Sequence, residues 1–158
     1  MRKEGIGDAA KNEMKATELL ESLLLNEGAV AFGTADAGPV DDEEFRHFEA
    51  WLAEGCHGEM TYLEKHKELR RDPRLLLEGA KTVISAAFNY RQPNPLKGVA
   101  VYALGEDYHK VLRRRLKRVV AEMKTNFGGE WRICVDSATV LERYWSQKCR
   151  VGLRSPLH

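Results

Sequence analysis

An α+β fold is what this sequence predicts: one domain with a central mixed or antiparallel sheet of at least three strands, flanked by helices. Three observations carry that expectation. Runs with apolar residues at helical spacing alternate with short β-rich runs. No repeat, low-complexity stretch or linker interrupts the 158 residues. A chain of that length buries about two-thirds of its unfolded surface, enough for a real core.

In chain order, residues 10–26 place Met14, Leu19, Leu20, Leu23 and Leu24 at roughly helical spacing before Gly28, a suitable stop. This first helix belongs to an amino-terminal appendage, residues 1–28. "AVAFGTA" then reads as a strand, and "DDEEFRHFEAWLAEG" as a helix whose leading acids suit the positive end of its dipole and which closes on Gly55. "DPRLLLEGA" has Asp72 as a cap and Pro73 at the first helical position, followed by the β-rich "KTVISAAFNY". "RQPNPLKG" is a loop, "VAVYALG" a third strand, residues 107–126 the longest helix, "WRICV" the last strand, and "VDSATVLER" the start of the last helix.

Composition excludes several classes. Lys plus Arg number 25 against 24 Asp plus Glu, so any attraction for a polyanion must be local. The amino terminus lacks the apolar core of a secretory signal, and no run of eighteen apolar residues could span a membrane, so a cytoplasmic protein without membrane association is expected. Cys56, Cys134 and Cys149 are odd in number and far apart, which disfavours a disulfide framework or a self-contained zinc or iron–sulfur site. Any metal must then arrive inside a cofactor. There is no G-x-S-x-G, Walker loop or G-x-G-x-x-G motif to support a hydrolase, P-loop or Rossmann reading.

Four stretches carry chemistry. In the long helix, Leu112, Leu116, Val119, Val120, Met123 and Phe127 share one face, while Lys110, Arg113, Arg114, Lys117, Arg118 and Lys124 make the other basic, either as a solvated face or for phosphate contact. "YALGEDYHK" gathers Tyr102, Asp107, Tyr108 and His109 at a strand-to-helix turn, where Asp107 is either a plain helix cap or part of a binding site. "GCHGEMTYLEKH" reads as an exposed loop entering a short helix; Cys56 and His57 are adjacent, but neighbours in a loop usually point apart, so a Cys–His nucleophile is not expected. Finally, "VDSATVLER" sets Asp136 between an apolar run and a helical pattern, with a second acid and an arginine one to two turns on. Asp136 is either a helix cap or an acid placed to deliver a proton.

Taken in order and at their separations, "GCHGEMTYLEKHKELRRDPRLLLEGAKTVISAAFNY", "VYALGEDYHKVLRRRLKRV" and "VDSATVLER" resemble the amino-terminal domain of epoxyqueuosine reductase, over roughly residues 10–149. On that resemblance residues 29–149 are the family-like domain and residues 150–158 a divergent tail. The family is a cobalamin-dependent reductase that removes the epoxide oxygen of epoxyqueuosine in tRNA, the last step of queuosine formation. The resemblance implies that this region cradles cobalamin, with Asp136 as catalytic proton donor and Tyr102, Asp107, Tyr108, His109, Ser137 and Arg143 as cofactor-binding residues. It also gives Arg113, Arg114, Lys117 and Arg118 a rationale as tRNA contacts.

The departures define a second reading. The family follows its V-D-S-x-P-V-L-E-R motif with a glycine-rich stretch resembling A-G-L-G-W-x-G-K, whereas this chain has Thr139 for the proline and continues "SQKCRVGLRSPLH". The family's cysteine runs for two four-iron four-sulfur clusters are absent from these residues. One expectation is therefore a truncated enzyme that binds cobalamin weakly and does not reduce epoxyqueuosine alone, needing a separate iron–sulfur protein or domain. The alternative is a non-catalytic module that binds a corrinoid, a flavin or tRNA.

Overall fold

The computed structural model describes residues 4–89, 106–136 and 139–152. In order these form helix α1 (Glu4–Asn26), strand β1 (Ala29–Asp36), helices α2 (Asp42–Ala53), α3 (Tyr62–Lys65) and α4 (Lys67–Arg71), a 3-10 turn (Pro73–Leu75), strand β2 (Thr82–Phe88), and helices α5 (Tyr108–Phe127) and α6 (Glu142–Lys148). Strands β1 and β2 pair in a two-stranded antiparallel sheet. The N–H of Ala37 donates to the Lys81 carbonyl at 2.8 Å, joining the end of β1 to the start of β2. No helix among the described residues is long and apolar enough to cross a membrane.

The described residues of 1–31 and 86–133 form one compact unit, and those of 32–85 and 134–158 another. In the first, α1 packs on α5. Leu20 and Leu24 of α1, Ala29 of β1, and Val119 and Met123 of α5 are all buried. The buried residues of α5 come from its predicted apolar stripe, whereas Lys110, Arg113, Arg114, Lys117, Arg118 and Lys124 are exposed. Helical periodicity alone produces that division. Asp107 caps α5, accepting the His109 N–H at 3.0 Å.

In the second unit Val40, Phe45, Tyr144 and Trp145 form the core, with Ala35, Phe48, Val83, Val140 and Leu141 packed against it. The Tyr144 ring meets Trp145 edge-on at 5.1 Å, and the Tyr144 hydroxyl accepts the N–H of Asp41 at 3.2 Å. The Asp41 carboxylate in turn pairs with Lys148 at 3.1 Å, which holds it below the usual carboxylate range. Thus α6 is fastened along its length to the entrance of α2. Burial of two aromatic side chains, and not local propensity, accounts for a helix of 7 residues.

Several expectations need correction. The described sheet has two strands, and at least three are not supported. Residues 131–135, "WRICV", run without regular structure. They have β-prone side chains, but propensity alone does not make a strand, and the Trp131 indole N–H turns back to the Gly128 carbonyl at 3.1 Å. "DPRLLLEGA" makes only the 3-10 turn, because Asp72 ties down the N–H and guanidinium of Arg74 within a single turn. The longest helix is α1, with 23 residues against 20 for α5. The last helix starts at Glu142, six residues after Asp136. The predicted strand 99–105, the loop before it, Tyr102, Ser137 and residues 153–158 lie outside the described residues.

Helix α6 ends in a Schellman arrangement: the Val151 N–H reaches the Ser146 carbonyl at 2.8 Å and the Arg150 N–H the Gln147 carbonyl at 3.0 Å. Arg150 therefore occupies the left-handed position that glycine favours, with φ 58°. A side chain there is unfavourable by about 1–2 kcal/mol, part of which glycine returns through its freer unfolded state. Arg150→Gly should raise stability by roughly 0.5–1 kcal/mol in urea unfolding; a loss of stability would show that Arg150 makes a compensating interaction.

Candidate functional site

The first group of predicted residues sits at the amino end of α5. His109 Nδ1 lies 2.9 Å from Asp107 Oδ1, the same oxygen that accepts the His109 backbone N–H. These bonds from His109 hold the Asp107 carboxyl below its ordinary range. The Tyr108 and His109 rings stack with centroids 4.0 Å apart. Both are half-buried, so the turn presents a flat aromatic pair beside a fixed carboxylate. The cap reading of Asp107 holds, and it leaves the neighbouring rings in a defined orientation.

Along α5, Lys110, Arg113, Arg114, Lys117, Arg118 and Ala121 line an open groove of about 540 Å³. Its cations are not equivalent. Arg114 makes two bonds of 3.0 Å to the Glu106 carboxylate, and Arg118 is held in the same forked manner by Glu27. Each pairing lowers the carboxyl and raises the guanidinium, and the hydrogen bond is the chief cause in all four groups. Such pairs face water and add little stability, but they partly neutralise two of the four predicted nucleic-acid contacts. Among the described residues, Arg113 and Lys117 line the same groove without an ion pair to a carboxylate.

The second unit carries Asp136, Glu142 and Arg143. Asp136 is exposed and has φ 47°, the left-handed region, which Asp enters more readily than most residues. It does not cap α6, whose N-cap is Leu141 with no side-chain bond. Instead, the Asp136 N–H donates to Glu142 Oε1 at 2.7 Å. Glu142 is the first residue of α6, and Arg143 follows it, exposed. The sequence shows Glu142 as a second acid after Asp136; its role in holding the Asp136 backbone is visible only in three dimensions.

Elsewhere, the loop before α3 is exposed as expected, but His57 within it is buried: its Nε2 lies 3.0 Å from Glu64 Oε1 and its ring 6.2 Å from that of Trp51. Cys56 is exposed, with Sγ 3.8 Å from the Glu54 carboxylate. The two point to different acids and form no nucleophile pair. Among the described residues, no group of three His, Cys, Asp or Glu side chains converges on a metal position.

Residues 70–137 match the family described as "Epoxyqueuosine reductase QueG, DUF1730". Among curated relatives, the epoxyqueuosine reductase of Cyclobacterium marinum is 39% identical over 146 residues, covering 87% of this chain and 46% of the relative. This chain is a homologue of the epoxyqueuosine reductases. That of Cellulophaga algicola is 36% identical over 145 residues, with the same coverage, and that of a Synechococcus species 33% over 156 residues, covering 92% of this chain and 47% of the relative. The chain thus spans about half the length of the curated epoxyqueuosine reductases it matches. No solved structure matches it. The family match extends from α4 through the Asp107–His109 turn and the basic face of α5 to one residue beyond Asp136.

Proposed function

We propose that this chain provides corrinoid binding and proton delivery for the reduction of epoxyqueuosine to queuosine in tRNA. Asp136 carries the reading. It is an exposed acid that does not cap α6, held in an uncommon backbone conformation, within a chain homologous to epoxyqueuosine reductases. Outliers of this kind are favoured where a side chain must be aimed.

The donor set fits cobalamin in kind. A corrin presents a flat face and a rim of amides; the stacked Tyr108 and His109 rings suit the former, and the hydrogen-bonding groups of Asp107, Tyr108 and His109 suit the latter. Tyr102, Ser137 and Arg143 enter the proposal on the family resemblance. Cobalamin, when bound and reduced by an external electron donor, would supply the two electrons that, with two protons, convert the epoxide to a double bond and water. The chain's own task is a proton: opening the first C–O bond leaves an alkoxide, the Asp136 carboxyl protonates that oxygen, and with a second proton from solvent it departs as water when the second C–O bond breaks. Displacing water from around a carboxyl favours its neutral form, so binding itself prepares the acid.

The tRNA backbone is drawn by the α5 groove, chiefly through Arg113 and Lys117, with Arg114 and Arg118 already engaged by carboxylates. Two titrations test the reading. Cob(II)alamin added to the purified chain should give a saturable, weak absorption change; no change at any concentration defeats corrinoid binding. In fluorescence anisotropy with tRNA, the double substitution Arg113→Gln and Lys117→Gln should weaken binding and reduce the slope of log K against log salt by about 1–2. An unchanged slope returns those cations to a solvated face.

A further inference from the structure

We infer that Glu142 is a positioning residue for Asp136: by accepting the Asp136 N–H, its carboxylate holds the left-handed backbone that fixes where the Asp136 carboxyl points. The inference rests on the proposed role of Asp136 and adds a residue to it. The contact is 2.7 Å to Glu142 Oε1, a length typical of a charge-assisted bond. At φ 47° even Asp, which tolerates the left-handed region better than most residues, is in a minor conformation that a hydrogen bond to its N–H favours. Glu142 is well placed to do so because its own position is set from below: Tyr144 and Trp145, two and three residues further along α6, are buried in the core, and the Trp145 N–H donates to the Leu141 carbonyl at 3.1 Å. As the first residue of α6, the Glu142 carboxylate also lies at the positive end of the helix, where a negative charge is favoured. The core thus reaches the acid through the Glu142 side chain.

Gln at position 142 retains a carbonyl oxygen on the same stem, whereas Ala has no acceptor. Amide hydrogen exchange of the full 158-residue chain, read by two-dimensional NMR, reports the bond directly. The Asp136 amide should be protected in the native chain, lose about tenfold or more of that protection in Glu142→Ala, and recover most of it in Glu142→Gln. The Trp145 amide should remain protected in all three, showing that α6 is intact. In cells whose own gene carries the changes, the ratio of queuosine to epoxyqueuosine in tRNA should fall for Ala and recover for Gln. Protection unchanged in Glu142→Ala, or lost equally in Glu142→Gln, overturns the contact itself. Protection lost with the nucleoside ratio unchanged overturns the positioning role alone; the role of Asp136 falls separately, if Asp136→Asn leaves the ratio unchanged.

Discussion

Gly33→Ala is expected to abolish stable folding of the second unit. A Cβ on Gly33 would stand 1.8 Å from the Cys149 carbonyl oxygen, 2.9 Å from its carbon and 3.3 Å from Val151 Cγ2. The first two are backbone atoms at the end of α6, so no rotamer change relieves them. The turn cannot simply withdraw, because Cys149 is buried with Sγ 3.6 Å from the Val83 carbonyl, and Lys148 and Tyr144 both engage Asp41. Inserting one methyl into an ordinary core is unfavourable by about 1–3 kcal/mol. Here a main-chain segment must move by on the order of 1 Å to restore normal contact, so a loss of roughly 4 kcal/mol or more is expected. That is a large part of the 5–15 kcal/mol typical of a domain. Urea unfolding monitored by tryptophan fluorescence, to which buried Trp145 contributes, reads it, and a loss under about 1 kcal/mol would show that β1 and the α6 turn are not in contact as described.

That close approach illustrates which features a sequence discloses. A glycine inside the strand "AVAFGTA" advertises a bulge or a close neighbour, but not that the neighbour is 116 positions away. Local rules were sufficient where local energies decide. Asp107 caps α5, and the apolar stripe of α5 faces inward with its basic face outward. Gly55 ends α2 with φ 71°, and β1 and β2 fall on the β-rich runs. The same rules failed where tertiary contacts set the outcome. Asp136 has the residue type and setting of a cap, yet α6 starts where Tyr144 and Trp145 become buried, with uncapped Leu141 before it. The basic face was legible as a face. Its division into held and unheld cations was not, since Arg118 is bound by Glu27, 91 residues earlier. His57 has the neighbours of an exposed loop but is buried beside Trp51 and Glu64.

Asp136→Asn should nearly eliminate queuosine while leaving the protein folded. Asn has almost the shape of Asp, shares its tolerance of the left-handed region and retains the N–H that reaches Glu142, so the backbone at φ 47° survives. What it lacks is a transferable proton. Removing a positioned general acid typically slows a reaction by about 10²–10⁴-fold. In cells whose own gene encodes Asn at 136, nucleoside analysis of tRNA should therefore show epoxyqueuosine accumulating and queuosine falling by about a hundredfold, the lower end of that range. In the purified chain the tRNA affinity, its salt slope and the urea midpoint should match the native protein, because the α5 groove and the aromatic core are untouched. Asp136→Ala separates the two contributions: it loses the proton donor as Asn does, and also destabilises by about 1 kcal/mol, since alanine resists the left-handed conformation. Normal queuosine with Asn at 136 would remove Asp136 from the chemistry, and retained binding of tRNA and corrinoid would then favour the non-catalytic module. Loss of queuosine with binding intact assigns Asp136 to the proton and the groove to the tRNA as separate tasks.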